Sequence, residues 1–215
     1  MFHTIIIEIA AIGKYCTKLA NSGAFLYNGT MILRNATKND IDAILTIEHN
    51  AFSAEIQESR RTFLERISAF AKGFILLEIN GTVQGYLSSE LWSTIPDFQN
   101  DRSTLSLGHS ALSSHKKNGT ILYISSFAIL NSLRGKGIGR AFFAAATERI
   151  ASEIPILQQA LLVNEKWLSA RSIYKAEGFH EVGLLKHFFP AENSRSDGIF
   201  MTKSCAQEQK NMLIL

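Results

Sequence analysis

Residues 122–150 read LYISSFAILNSLRGKGIGRAFFAAATERI, and this stretch decides the fold. It opens as a strand. Tyr123, Ile124, Phe127, Ala128 and Ile129 form an apolar run too short for a helix, closed by Asn131-Ser132. A basic, glycine-rich turn follows: Arg134, Gly135, Lys136, Gly137, Ile138, Gly139, Arg140. The chain then continues as a helix with Phe143, Ala146, Ile150 and Ile154 on one face. Strand, glycine turn and helix together make an anion site. Glycines take positive φ and let backbone N–H groups crowd inward, and the helix N-terminus adds unpaired donors and partial positive charge. A phosphate or pyrophosphate is expected here.

The spacing narrows the ligand. The dinucleotide fingerprint needs GxGxxG, and the glycines here run GxGxG; the P-loop GxxxxGK[ST] is absent. The turn does fit Arg/Gln-x-x-Gly-x-Gly/Ala through Arg134, Gly137 and Gly139. That pattern, between a strand and an amphipathic helix, resembles the acyl-CoA-binding motif of the GNAT acetyltransferase superfamily. The alternative is a solvated left-handed turn that happens to be basic.

The rest of the chain bounds the problem. Its 215 residues suffice for one domain with a real core. Apolar residues make up 46% and charged residues 19%, and a net charge of +3, scattered apart from the turn, argues against nucleic acid. No apolar run reaches the roughly 18 residues of a membrane span. The two cysteines, Cys16 and Cys205, form no CxxC metal site and no disulfide framework, and the histidines and acids show no ligand spacing, so no metal is expected.

Residues 1–30 have an apolar patch without the layout of a signal peptide. They read as an N-terminal extension, either a disordered arm or a segment ahead of a start at Met31. The domain spans 31–204, and 205–215 is a tail. Within the domain, 31–35 is a strand, and Thr37-x-x-Asp40 opens a helix carrying Ile41, Ile44, Leu45 and His49. A second helix is expected over 54–70 with Ile56, Phe63, Leu64, Ile67 and Phe70 inward. Strands 73–79 and 82–91 flank Asn80-Gly81, a type I′ hairpin signal. Residues 92–119 form a long polar loop holding His109 and His115. After the central unit come a strand at 160–163, a helix over 165–177 capped by Asn164 and ended by Gly178, and strands at 179–184 and 198–203 around a turn at 192–197. This order makes an α+β, α/β/α sandwich-like fold and matches the GNAT order: a mixed, mostly antiparallel sheet, helices on both faces, and a splayed central strand pair.

The resemblance implies an N-acetyltransferase that uses acetyl-CoA and transfers directly to a primary amine, without a covalent enzyme intermediate. The turn would hold the pyrophosphate. By the family pattern, Phe127, Ala128 and Ile129 present backbone to the pantetheine arm, a nearby N–H polarises the thioester carbonyl, and Asn164 bonds the pantetheine or a water. Tyr174-x-x-x-Gly178-Phe179 resembles the second family signature, which makes the Tyr174 phenol the proton donor to the leaving thiolate. The alternative for Tyr174 is a hydrogen-bonded core tyrosine. The central strand also resembles that of aralkylamine acetyltransferases, but their histidine positions fall on Tyr123 and Ser125. The base is therefore open: Glu90, a relay through Ser125 or Ser126, His109 or His115. Glu90 could equally be a solvated strand-end carboxylate, and the two histidines surface residues. Phe52, Ser53, Glu55 and Tyr86 are expected to line the acceptor pocket, between the two N-terminal helices and the long loop. A cytoplasmic enzyme acting on a small-molecule amine is expected, with a homodimer left open. A peptide or protein amine, or a non-catalytic acyl-CoA-binding module, are the other readings.

Overall fold

The computed structural model describes residues 31–97, 102–191 and 194–205. The expected extension at 1–30, the tail beyond Cys205, part of the long loop and the tip of the last hairpin lie outside these residues. The strands are β1 (Met31–Asn35), β2 (Phe74–Ile79), β3 (Thr82–Trp92), β4 (Ile121–Ile129), β5 (Gln158–Asn164), β6 (His180–Ala191) and β7 (Ser194–Ser204). The helices are α1 (Ile41–Ala51), α2 (Arg60–Ala69), the single turn α3 (Ala111–Ser114), α4 (Ile138–Glu153) and α5 (Leu168–Ala176). All seven strands join one sheet in the order β1-β2-β3-β4-β5-β7-β6, antiparallel except for β4 with β5.

Period-two alternation gives the sheet two buried faces. On β2, Ile75, Leu77 and Ile79 pack toward α4, against Phe142, Phe143 and Ile150. Phe74 and Leu76, with Tyr86 of β3, pack toward Ile41, Ile44 and Ile47 of α1 and Phe63 and Ile67 of α2. Helix α4 is the spine. Most of it is buried, including the expected Phe143, Ala146 and Ile150.

Local signals account for most boundaries. Asp40 accepts from the Thr37 N–H at 2.8 Å ahead of α1. Asn80 and Gly81 take φ of 50° and 76°, as a type I′ hairpin requires. Gly178, at φ 90°, ends α5 in a Schellman arrangement in which the Phe179 N–H donates to Tyr174 O at 3.0 Å.

Several expectations are corrected. Helix α2 begins at Arg60, not near residue 54, because the Ser59 side chain caps it by accepting from Thr62 N–H at 3.1 Å. Ile56 therefore lies in a loop, and on α1 it is Glu48, not His49, that turns inward. Asn164 does not cap α5, which starts at Leu168; its Oδ1 accepts from Lys166 N–H at 2.9 Å and its Nδ2 donates to Ser196 Oγ at 2.7 Å. Strands β6 and β7 run much longer than expected, so Ser194, Ser196 and Asp197 belong to β7. A bulge over Leu185–Phe189 absorbs the extra length, with His187 at φ 55° and its N–H donating to Asp197 Oδ1 at 2.8 Å. Among the described residues, no helix is long and apolar enough to cross a membrane, and no cluster of His, Cys, Asp and Glu is placed to hold a metal ion.

Candidate active site

The site begins where β4 changes partners. Its pairing with β5 stops at Ile124↔Leu161, and the two strands diverge beyond that point. Across β3, the register slips between Ser88 and Ser89, which face Ser126 and Ile124, so Ser125 is the extra residue of a β-bulge. The bulge bends β4 away from β5 and leaves its backbone without a ladder partner on that side from Ser125 onward. A cavity of about 930 Å³ fills the opening. It is continuous from the glycine turn, through the splayed strands, to a pocket on the α1–α2 face.

At the turn end, Arg134, Gly135, Gly137, Gly139 and Arg140 line the cavity. Gly137 is the residue before α4 and sits at φ 75°, a conformation that L side chains resist. Gly139 lets α4 close onto the sheet: a Cβ there would lie 3.2 Å from Ile129 Cδ1. The charges divide. No carboxylate pairs with Arg134 among the described residues. Arg140 is held by Glu177 at 2.6 Å and by the Ala176 carbonyl at 3.2 Å. Lys136 is exposed and outside the lining, and the Ile138 side chain is buried in the core, so only its backbone serves the turn.

In the middle, Phe127, Ala128, Ile129 and Ser125 line the cavity, and Ser125 Oγ lies 3.2 Å from the Ser88 carbonyl and from Ser88 Oγ. Tyr174 faces them from α5. It packs on Phe143, with ring centroids 5.0 Å apart, and its hydroxyl has no protein hydrogen-bond partner among the described residues. Burial pushes its phenol well above the ordinary value, so it holds its proton. Asn164 lies outside the lining.

The pocket end is built from residues that sequence reasoning largely missed. Phe52 lines it as expected and meets Trp167 at 5.4 Å, which in turn meets Phe189 at 5.3 Å. Ser53 and Glu55 are exposed and outside it. Tyr86 is fully buried behind the wall, donating to Glu48 and lying 2.9 Å from Ser126 Oγ. Glu48 reaches the cavity itself, and its Oε1 accepts from the Glu58 N–H at 2.7 Å. Burial, reinforced by the Glu58 charge, raises its carboxyl above the ordinary value, against the hydrogen bond from Tyr86. Glu58 pairs with Arg66 at 2.7 Å, and both also line the pocket. The signal for Glu48 and Arg66 was present: each lies on the apolar stripe of its helix, beside Ile44 and Ile47 or Phe63 and Ile67.

Glu90 is neither solvated nor on the cavity wall. It is 1% exposed and bonded by Trp92 Nε1 at 2.7 Å, His109 Nε2 at 2.9 Å and Ser114 Oγ at 2.6 Å. Burial opposes its charge, but the His109 contact and the other two bonds outweigh it and hold the carboxyl below the ordinary value. His109 does line the cavity, with Nδ1 3.0 Å from the Ser106 carbonyl. His115 is structural: its Nδ1 accepts from Leu91 N–H at 3.1 Å and its ring stacks on Phe70. Residues 102–110 thus form a strap across the pocket. Ser110 bonds Glu65 of α2 at 2.8 Å, Leu105 packs with Phe188 and Phe189, and Arg102 bonds the Lys186 carbonyl of β6 at 3.3 Å.

Comparison with known proteins agrees with this architecture. The acetyltransferase (GNAT) domain model matches residues 100–188. A curated N-alpha-acetyltransferase of Sulfurisphaera tokodaii is 24% identical over 157 residues, 73% of this chain and 84% of the relative. The loading GNATL domain of CurA from Lyngbya majuscula superposes with a TM-score of 0.71 at 14% identity, covering 83% of this chain and 99% of that domain. Arabidopsis thaliana Naa50, solved with the bisubstrate analogue CoA-Ac-MVNAL, gives 0.61 at 16% identity, covering 81% and 98%. The chain is thus similar to the GNAT acetyltransferases across its central motif, and its described residues share their fold.

Proposed function

We propose that this protein is an N-acetyltransferase that moves the acetyl group of acetyl-CoA to the primary amine of a small molecule, by direct attack in a ternary complex. The observation that carries this reading is the continuous cavity, which joins an anion-binding turn to a buried pocket holding Glu48. The residues fit the donor. Gly137 and the start of α4 offer N–H groups to a pyrophosphate with Arg134 beside them, and the unladdered backbone of β4 offers an edge to the pantetheine arm. When bound, acetyl-CoA supplies the thioester acyl group.

The protein's own groups then do the proton work. Glu48 takes a proton from the ammonium, directly or through Tyr86 and Ser126, which freely turning hydroxyls link to the cavity. A backbone N–H near the Ser125 bulge steadies the developing oxyanion. As the N–C bond forms and the C–S bond breaks, Tyr174 gives a proton to the leaving sulfur, and the second proton that the nitrogen sheds as it becomes an amide restores the phenol. No cysteine lines the cavity among the described residues, in keeping with direct transfer.

The strap supports a small acceptor over a peptide. It spans from α2 to β6 across the pocket, where a polypeptide would need an open groove. The likeness to an N-alpha-acetyltransferase supports the second reading, a peptide α-amine. Calorimetry with acetyl-CoA, followed by thiol release against small amines and N-terminal peptides, tests both. Saturable binding that weakens in Arg134→Ala, with turnover of small amines, is expected. No binding by the folded protein would overturn the assignment, and turnover of peptides alone would overturn the small-molecule acceptor.

A further inference from the structure

The pocket end of the cavity is walled by an apolar cluster of its own. Leu105 of the strap packs there with Phe188 and Phe189 of the β6 bulge, and Ile56, Leu162 and Trp167 lean on them. Strand parity separates this wall from the donor side. On β5, Leu161 and Val163 join the core under α4, whereas Ala160 and Leu162 face the other way. Trp167 stands between two rings, Phe52 at 5.4 Å and Phe189 at 5.3 Å. The wall does not close on itself. Phe52, Ile56, Leu162 and Trp167 line the cavity and are only half-buried, and Leu107 of the strap lines it at 40% exposure. Hydrocarbon is left uncovered inside a strapped pocket.

The charged groups at this end are committed to one another. Glu58 pairs with Arg66 at 2.7 Å and accepts from the Gly108 N–H at 3.3 Å. The Nε and Nη1 of Arg66 are buried and closed off from a ligand. His109 has an oxygen at each ring nitrogen, from Glu90 and from Ser106. Lys166 also lines the cavity but is exposed to solvent. Glu48 has one partner at each oxygen, the Glu58 N–H and the Tyr86 hydroxyl, which leaves lone pairs for one ammonium. A second charge on the acceptor would give up its hydration against hydrocarbon and find no free partner.

We infer that the acceptor is an apolar monoamine: one ammonium, met by Glu48, on a hydrocarbon tail that lies against Phe52, Ile56, Leu162 and Trp167 and carries no second charge. This deepens the acetyl-transfer reading above and rests on it. Trp167 and Ile56 then set specificity through the tail, without touching the reacting atoms.

The test varies the tail on one amine. n-Pentylamine is longer than n-propylamine by two methylenes, and 1,4-diaminobutane and 4-aminobutanoic acid put a charge of either sign where the pentyl chain ends. Thiol release with acetyl-CoA gives kcat/KM for each, and calorimetry on the CoA-bound protein gives binding without turnover. n-Pentylamine should exceed n-propylamine by about 15-fold, about fourfold for each methylene covered. It should exceed both charged analogues by about tenfold or more. In Trp167→Ala the pentyl-over-propyl ratio should fall to about fourfold or less. Ile56→Ser, a loop substitution, should lower the ratio too and reads the wall even where Trp167→Ala does not fold. Charged analogues that bind and react as well as n-pentylamine, a tail length without effect, or a ratio that stays native in the folded variants would overturn the inference. If acetyl-CoA binds but no amine releases thiol, the acetyl-transfer reading fails, and the calorimetric series still decides whether the pocket takes an apolar amine over a charged one.

Discussion

Replacing Glu48 with glutamine separates chemistry from scaffold. The amide oxygen can still accept from the Glu58 N–H that now reaches Oε1 at 2.7 Å. Its NH2 can donate to the Tyr86 oxygen, and the phenol proton can turn to Ser126 Oγ, 2.9 Å away. Every partner is kept. The sign of the stability effect follows from the raised pKa, caused first by burial. A carboxyl raised on folding contributes stability below its unfolded pKa, and that contribution is lost as pH rises through the folded value. Removing the titration should leave the Tm at neutral pH unchanged or higher. The catalytic effect runs the other way. A positioned general base contributes about 100-fold to 10,000-fold, so kcat should fall at least about 100-fold, or about 2.7 kcal/mol in the barrier. The native kcat/KM should also show an ascending limb as Glu48 deprotonates, separate from the more alkaline limb of the amine, and the variant should lack it. Thiol release across a pH series, paired with thermal unfolding, reads both. A stable Glu48→Gln protein that keeps kcat within about threefold, where loss of a positioned base predicts about 100-fold, would refute this role.

The other predictions test the remaining parts of the site. Tyr174→Phe should lower kcat by about tenfold to 100-fold with the acetyl-CoA Kd unchanged, and should not lower the Tm, because the hydroxyl it removes bonds no group among the described residues. Arg134→Ala should weaken acetyl-CoA more than Arg140→Ala in titration calorimetry, because Glu177 already engages Arg140 at 2.6 Å; equal losses would show that Arg140 changes partners on binding. Glu90→Gln should destabilise the fold in urea at neutral pH by about 1–3 kcal/mol, because it trades the charge-assisted hydrogen bonds to Trp92, His109 and Ser114 for neutral ones. The native Glu90 carboxyl, held low chiefly by His109 against burial, contributes stability above its unfolded pKa. That contribution is lost as pH falls through the folded value, so the native protein should lose stability in acid more steeply than the variant.

The two ends of the cavity differed in how legible they were. The donor end is written in contiguous residues whose meaning is conformational. Gly137 at φ 75° and Gly139 under Ile129 lie within one strand–turn–helix, so local spacing carried their reading, whereas the bulge was implied only by the family resemblance and its place at Ser125 comes from the pairing with β3. Even there, the pairing of Arg140 with Glu177 depends on how α4 meets α5, which no local pattern encodes. Asn164 misled because an asparagine before a helix looks like a cap, whereas its side chain closes a turn and bonds β7.

The acceptor end is assembled from α1, α2, the strap, β3, β4 and β6, and its members are far apart in sequence. Glu90 and His109 are 19 residues apart, and Tyr86 and Glu48 are 38 apart. Each is individually ambiguous. Two of them nevertheless carried a readable mark, a charged residue on an apolar helical stripe: Glu48 with Ile44 and Ile47, Arg66 with Phe63 and Ile67. Burying a charge there costs several kcal/mol unless something offsets it. Glu48 is offset within the protein by Tyr86 and the Glu58 N–H, while Arg66 is offset only at Nη2.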